Sequence, residues 1–354
     1  MLDTTKAIPA ALLLLPLTIF FIPQFHTWIT NNKSRLLRRI GLSTNPSSEI
    51  VALKIYPIKS CRGITLPKSR VRAEGLDLDR RWMLVDAVTH EFLTIRQIAR
   101  MTLINTALSD DGQTLQITFS GDEETVVSVP AYPDQTWLDA HTTLSPVRVW
   151  DIDTDGYLYG DEVNAPFSSF LGRGVRLVYK GPTPRIMRGN GDPRLLGREQ
   201  GVNFPDVNPV LIASEASVAE LNARLVQNGA DPITIERFRP NIIVKGTAPW
   251  SEDSWKLVRI NPVDLDCSTL RPVTVDILSR CTRCQVPNVN PDTGDQHRNQ
   301  PWDTLMSYRR IDEGMKWKPC FGMMGAPREE GVVEVGMRLD VLEETSQHRY
   351  VKGF

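Results

Sequence analysis

Leu115, Ile117 and Phe119 place apolar residues at every second position behind an Asp111-Gly112 turn signal, and that period predicts a strand with one face buried. Other apolar stretches are short and unbroken. Ile50–Ile58 (IVALKIYPI) has strand composition, and Trp82–Val85 has the length of a buried strand. Val127–Val129 and Val147–Trp150 predict further short strands, which resume at Asn241–Val244, Lys256–Ile260 and Gly331–Leu342. A helical period governs Val218, Leu221 and Leu225. Ser217 and Glu220 stand at capping-box spacing and Gly229 supplies the stop, so a helix is predicted there. Many short strands and few helices predict an α+β, mostly β fold, with barrel or sandwich architecture over roughly the first 130 folded residues. Residues 181–203 are rich in Gly, Pro and Arg and follow neither period. They are expected to form a long mobile loop over a site, or a plain connector between domains. The expected organisation is therefore a β-barrel region at 49–180, the loop, and a second domain at 204–354.

The longest apolar run is Ala7–Ile22 (AIPAALLLLPLTIFFI), in which only Thr18 is polar. Pro23, Gln24 and Phe25 extend it, Trp28 suits an interface, and Lys33, Arg35, Arg38 and Arg39 follow. About 17–25 apolar residues cross a bilayer, so a membrane anchor is predicted at 1–30 and a basic tether at 31–48. A cleaved signal peptide is the rival, but no small-x-small cleavage site precedes the basic cluster. The positive flank puts the remainder of the chain on the cytosolic face. A short, proline-interrupted anchor suits a thin membrane, the outer mitochondrial membrane or the endoplasmic reticulum.

The chain has 354 residues, enough for two domains, and a net charge of −1, which gives no electrostatic case for nucleic acid. Its five cysteines have no regular spacing and argue for a reducing compartment. Two of them, Cys281 and Cys284, form a C-T-R-C run that opens into the turn-rich stretch Pro287 to Gly294. A guanidinium beside each thiol favours the thiolate. Three readings stay open: a zinc site, for which Cys61, Cys267 and Cys320 offer no second C-x-x-C pair; a redox pair, which Pro287 and Pro291 disfavour; or one thiolate on a transition metal carried by a cofactor. Elsewhere Lys59 and Ser60 end the first strand, Arg80 lies beside Trp82, and Arg96-Gln97 adds another donor. Each is a possible anion grip or an ordinary solvated charge. Pro240 fixes the backbone between Arg239 and Asn241.

In chain order, Y-P-I-K-S-C-R-G from Tyr56, D-R-R-W-M-L-V-D from Asp79, S-E-A-S-V-A-E-L-N from Ser214, F-R-P-N-I-I-V from Phe238, C-T-R-C from Cys281 and V-N-P-D-T-G from Val289 resemble the MOSC (molybdenum cofactor sulfurase C-terminal) superfamily, nearest to the mitochondrial amidoxime-reducing components. The resemblance runs from about residue 50 onward and covers both the N-terminal β-barrel region and the MOSC domain. It implies the molybdenum cofactor (Mo-molybdopterin), with Cys284 as the protein thiolate on the metal. It further implies Lys59, Ser60 and Arg80 around the pterin phosphate and Arg239 and Asn241 lining the site, with Asn208 as a further cofactor contact; Arg96, read above as a donor, is added to the expected cofactor-binding set. Val207 stands where relatives carry a hydroxyl. The implied activity is reduction of small N-hydroxylated compounds, amidoximes and hydroxylamines, to amidines or amines. The sequence has no haem-attachment, dinucleotide-loop or iron–sulfur motif, and the resemblance implies cytochrome b5 and NADH-cytochrome b5 reductase as electron donors.

The soft thiolate and scattered cations suit an anionic dithiolene cofactor, and Arg283 is expected to stabilise the Cys284 thiolate. Asp292 and His297 are candidate proton donors by proximity alone. A non-catalytic carrier of the cofactor would use the same grip. A cofactor sulfurase would need an upstream pyridoxal-phosphate domain, and with only about fifty residues before the first strand it is not expected.

Overall fold

The structure, a computed structural model, describes residues 46–263 and 270–353. The predicted anchor, the tether up to residue 45 and Cys267 lie outside the described residues. No helix among the described residues is long and apolar enough to cross a membrane.

The largest sheet joins β1 (Ser47–Ile55), β2 (Ile64–Leu66), β14 (Val210–Ser214), β15 (Ile242–Val244), β16 (Trp255–Asn261), β17 (Val273–Thr282), β18 (Cys320–Pro327) and β20 (Arg338–Glu344). Its order is β15-β14-β18-β17-β16-β20-β1-β2, and an added pairing of β1 with β15 closes seven of the strands into a barrel. Closure leaves those strands without a free edge. β1 makes it possible by changing partner along its length. Ser47–Glu49 pair with β20, and Ile50–Leu53 pair with β15 across a bulge between Ile50 and Ala52. The bulge also explains how Ile50 and Leu53, an odd number of positions apart, both point into the core.

Three smaller sheets and a two-stranded pair accompany the barrel among the described residues, and the fold is mostly β as the pattern predicts. β3 (Lys68–Arg72) pairs with β4 (Gly75–Leu76) and β19 (Gly331–Glu334). A meander is built from β6 (Ile104–Leu108), β7 (Thr114–Phe119) and β8 (Asp122–Pro130). β5 (Trp82–Asp86), β11 (Val175–Lys180), β10 (Ile152–Tyr159) and β9 (Thr142–Val149) form the third in that order. β7 buries Leu115, Ile117 and Phe119, the alternating set read from the sequence.

Several sequence expectations change in detail. The first strand stops at Ile55, because Pro57 cannot donate to a ladder and Ile58 makes only a single bridge to Trp82. The run Gly331–Leu342 is two strands, broken by a turn at Gly336, whose φ of 90° suits a residue without Cβ. The predicted helix is present as Glu215–Gln227, but Ser214 is its N-cap residue and no side chain caps it. Ser217 is buried in the first turn instead, where its hydroxyl accepts the Trp250 N–H at 2.8 Å. Residues 181–203 carry a short hairpin of β12 (Arg185–Ile186) and β13 (Gly201–Val202). Arg185 is 1 % exposed and donates to the carbonyls of Asn203, Pro205 and Asp206, pinning the loop that follows.

That loop is braced from outside as well. Gly75 sits at φ 118°, and a Cβ there would lie 2.6 Å from the Pro209 carbonyl oxygen. Gly75→Ala is expected to destabilise the fold by about 2–4 kcal/mol through backbone strain and a clash that cannot relax. The measurement is a urea unfolding midpoint, which should fall while the slope is unchanged.

Candidate functional site

The end of β1, the segment before β5, the β9–β10 turn, the 205–208 loop, the segment before β15 and the end of β17 meet around one cavity of about 520 Å³. Lys59, Ser60, Arg80, Arg96, Asn208, Arg239, Asn241 and Cys284 all line it. Residues separated by most of the chain are thus neighbours. Four lining residues hold left-handed backbone: Ser60 at φ 72°, Arg80 at 46°, Trp150 at 56° and Arg239 at 58°. Each such residue costs roughly 1–3 kcal/mol and persists only where surrounding structure dictates it. Strain is concentrated where side chains must be aimed.

Arg80 is the hub of the polar wall. Its guanidinium donates to Asp79 at 2.6 Å, to Asn241 Oδ1 at 3.2 Å and to the Arg239 carbonyl at 3.1 Å, and it lies 4.5 Å from the Tyr56 ring centre. Asp79 also accepts the Tyr56 N–H at 2.8 Å. Burial pushes the Asp79 carboxyl up, and the Arg80 charge opposes that shift. Asn241, 1 % exposed, spends both ends of its amide on the framework: Oδ1 also accepts the Leu211 N–H, and Nδ2 donates to the Lys54 carbonyl. It joins β15 to β1 and β14 and fixes Arg80 rather than offering a free donor. Ser60 Oγ accepts the Ile95 N–H at 3.2 Å.

Arg239 differs. Its guanidinium stacks 4.1 Å from the Tyr56 ring, no carboxylate among the described residues pairs with it, and its buried Nη2 has no hydrogen-bond partner. Burial pushes its pKa down to about 10, opposed by Tyr56 and reinforced by the Arg80 charge. An unpaired cation held out of water favours an incoming anion. Asn208 Oδ1 and Arg283 Nε are likewise buried without partners.

On the opposite side, Lys59 donates to the Phe204 carbonyl at 2.9 Å and forms an ion pair with Asp206. Burial lowers the Lys59 pKa to about 8 against the pull of Asp206. Burial raises the Asp206 pKa, but the charges of Lys59 and Arg96 outweigh it and hold the carboxyl well below its usual range. Asp206 also accepts from Trp150 Nε1 at 3.3 Å and pairs with Arg96 at 3.6 Å, while Arg96 lies 4.6 Å from the Trp150 ring centre. This clamp presents Arg96 Nη1 to Cys284 Sγ at 3.7 Å.

The arginine expected to serve Cys284 does something else. Arg283 donates to Cys281 Sγ at 2.9 Å and to the Phe238 carbonyl at 2.9 Å, so the guanidinium beside Cys284 comes from Arg96. Residue 283 continues the side-chain alternation of β17, which sends it to the same side as Cys281. Burial raises the Cys281 pKa, and Arg283 opposes it. Among the described residues no group of three or more Cys, His, Asp or Glu side chains is arranged to hold a metal, so nothing there completes a zinc cage around the two cysteines. Cys61 and Cys320 are buried, and burial pushes both thiols to about 12. Neither candidate proton donor lines the cavity. Asp292 pairs with Arg62, and His297 Nδ1 accepts the N–H groups of Asn299 and Gln300 in a turn.

The second half of the cavity is apolar. Leu211, Met315, Met324 and Tyr350 pack as one cluster with Val207 and Cys281, and Trp317 stands at the edge with 65 % of its surface exposed. Sequence reasoning missed this wall together with Asp206 and Trp150. Asp206 alone had a signal, an acidic residue two positions before Asn208. Seven cationic side chains and two carboxylates line the whole cavity. A thiol beside Arg96, a buried guanidinium without a carboxylate partner among the described residues and an excess of positive charge fit a cofactor that brings its own metal, its other metal ligands and a phosphate.

Residues 47–174 match the MOSC N-terminal beta barrel domain and residues 199–340 match the MOSC domain. The chain is 32 % identical to mitochondrial amidoxime-reducing component 1 of Mus musculus, over 86 % of this chain and 83 % of that protein. It is 33 % identical to mitochondrial amidoxime reducing component 2 of Bos taurus, over 86 % and 84 % respectively. Among solved structures, the YuaD protein of Bacillus subtilis aligns with 86 % of this chain and 99 % of its own, at 10 % identity and a TM-score of 0.35, too loose a likeness to carry an argument.

The two arginines of the polar wall should respond oppositely to removal. Arg80→Ala leaves the Asp79 carboxylate buried without its partner and is expected to cost about 3–5 kcal/mol of stability. Arg239→Gln removes an unpaired cation and should leave stability within about 1 kcal/mol of the parent, yet lower the pterin content. Urea unfolding and pterin fluorescence of the denatured protein separate the two effects.

Proposed function

The chain belongs to the MOSC superfamily, beside the amidoxime-reducing components, and from that membership we propose that it is a molybdenum-cofactor-dependent reductase of small N-hydroxylated compounds such as amidoximes and hydroxylamines. The observation that carries the reading is Cys284, a thiol on the wall of a cationic cavity beside Arg96, with Arg239 on the same lining and without a carboxylate partner among the described residues. The reaction takes R–NHOH, two electrons and two protons to R–NH2 and water. The N–O bond breaks and its oxygen leaves as water. When bound, the molybdenum cofactor supplies the two-electron change.

The chain's own residues hold and orient. Cys284 offers its thiolate to the metal, and Arg96, fixed by Asp206 and Trp150, keeps positive potential on that sulfur. Arg239 and Lys59 would hold the phosphate, and Ser60 would add a short-range donor. Arg80 and Asn241 keep Arg239 in its left-handed conformation, so they position rather than bind. The apolar wall of Leu211, Met315, Met324 and Tyr350 excludes water from the reacting nitrogen and accepts the body of the substrate.

Electrons come from outside the chain, and cytochrome b5 with its NADH-dependent reductase is the proposed source. The apolar segment Ala7–Ile22 with its basic flank supports anchoring to a membrane, with the catalytic part on the cytosolic side. The outer mitochondrial membrane is proposed first, since relatives are named mitochondrial, and the endoplasmic reticulum second.

The test is metal content by elemental mass spectrometry on protein from a cofactor-producing host, followed by turnover of an amidoxime with a b-type cytochrome. Near-stoichiometric molybdenum is expected in the parent and in Cys281→Ser, with loss of both metal and turnover in Cys284→Ser. Molybdenum without turnover would favour the non-catalytic carrier. Zinc lost in both variants would overturn the cofactor assignment.

A further inference from the structure

We propose that the mouth of the cavity sorts ligands by charge: Lys318 and Lys352, beside Trp317, admit neutral planar N-hydroxylated compounds and repel the protonated amines and amidines made from them. The inference deepens the reductase reading and rests on it.

The cations of the cavity fall into two groups. Those on the polar wall are engaged with the framework or await the phosphate, as described above. Lys318 and Lys352 are not of that group. They line the cavity on the side of Met315 and Tyr350, and among the described residues neither makes an ion pair. The lining carboxylates are two. Asp206 is held between Lys59 and Arg96, and Asp151 follows Trp150 in the β9–β10 turn. The apolar wall itself offers no anion to a cationic ligand.

Substrate and product differ in charge. An amidine or alkyl amine carries a proton at neutral pH. A hydroxyl on the same nitrogen withdraws electron density and leaves the group neutral. Reduction therefore creates a cation in a cavity where the anionic cofactor would offset the polar-wall cations and leave Lys318 and Lys352 to act on it. Low-dielectric walls focus that field, and screening is weak within a Debye length of about 8 Å. The neutral substrate meets an exposed indole it can stack on and thioethers that adapt to its shape. The charged product meets two ammonium groups that make no ion pair among the described residues. Discrimination by an unfavourable contact needs no better contact with the substrate.

The test uses the full chain loaded with molybdenum and oxidised, with no electron donor, so that nothing turns over. Benzamidoxime and benzamidine are titrated by calorimetry as a neutral and a cationic probe of nearly equal shape. Benzamidoxime should bind about tenfold more tightly, equivalent to ~1.4 kcal/mol. In Lys318→Glu/Lys352→Glu the ratio should fall to about threefold or less, mainly because benzamidine binds better. Trp317→Ala should weaken both probes alike and leave the ratio unchanged, which separates stacking from charge. Equal affinities in the parent, or a ratio unmoved in the double variant, would overturn the proposal. The reductase reading is tested separately by adding an electron donor. If the ratio holds but benzamidoxime is not consumed, the charge filter stands and the reductase reading fails.

Discussion

A buried ion pair between adjacent residues, Asp79 and Arg80, underlies the polar half of the site. Asp79 takes the Tyr56 N–H just beyond β1, and Arg80 reaches the Asn241 amide and the Arg239 carbonyl just before β15. The pair therefore clasps two segments that also meet through the β1–β15 ladder closing the barrel. Removing either charge leaves the other stranded away from water, a more severe loss than the pair's own net contribution. Tyr56 completes the arrangement. Its ring lies against both guanidinium groups, 4.5 Å from that of Arg80 and 4.1 Å from that of Arg239, so two like charges share one aromatic ring.

That arrangement explains why the cavity can carry an excess of positive charge without collapsing or filling with carboxylates. Each framework cation has a neutral or aromatic partner that tolerates it: the Phe204 carbonyl for Lys59, the Trp150 ring for Arg96, the Phe238 carbonyl for Arg283. The carboxylate partners are Asp79, buried beside Arg80, and Asp206, which acts as a brace between Lys59 and Arg96. The field left over is positive, and it faces a cavity whose remaining wall is thioether, isobutyl and aromatic surface. Cys284 lies where the two regimes meet.

Much of the fold was legible in the sequence. Period-two patterning marked β7, the short apolar runs marked β5 and β15, and the stripe of Val218, Leu221 and Leu225 marked the long helix. β18, which crosses the centre of the barrel sheet, was not legible. Its sequence CFGMMGAP holds two glycines and a proline, and all eight positions are buried, so no alternation between faces remains to be read. β17, the strand that delivers the cysteine pair, was hidden by the turn-rich stretch that follows it.

For the site, the sequence by itself determined the kinds of groups available: a paired-cysteine run, a lysine and hydroxyl after the first strand, and arginines held by a neighbouring tryptophan or proline. Eight candidates, most of them carried over from the family resemblance, line one cavity. Their partnerships were decided only by tertiary structure. Arg96 reaches Cys284 across 188 residues, while the adjacent Arg283 turns to Cys281 because strand alternation sends it there. Asn241 is consumed by three framework hydrogen bonds, and Tyr350 reaches the apolar wall from the last described residues of the chain. Spacing along a chain encodes period and chemistry. Which guanidinium meets which thiol depends on how β1 closes the barrel, and that is settled by contacts between segments that no local pattern contains.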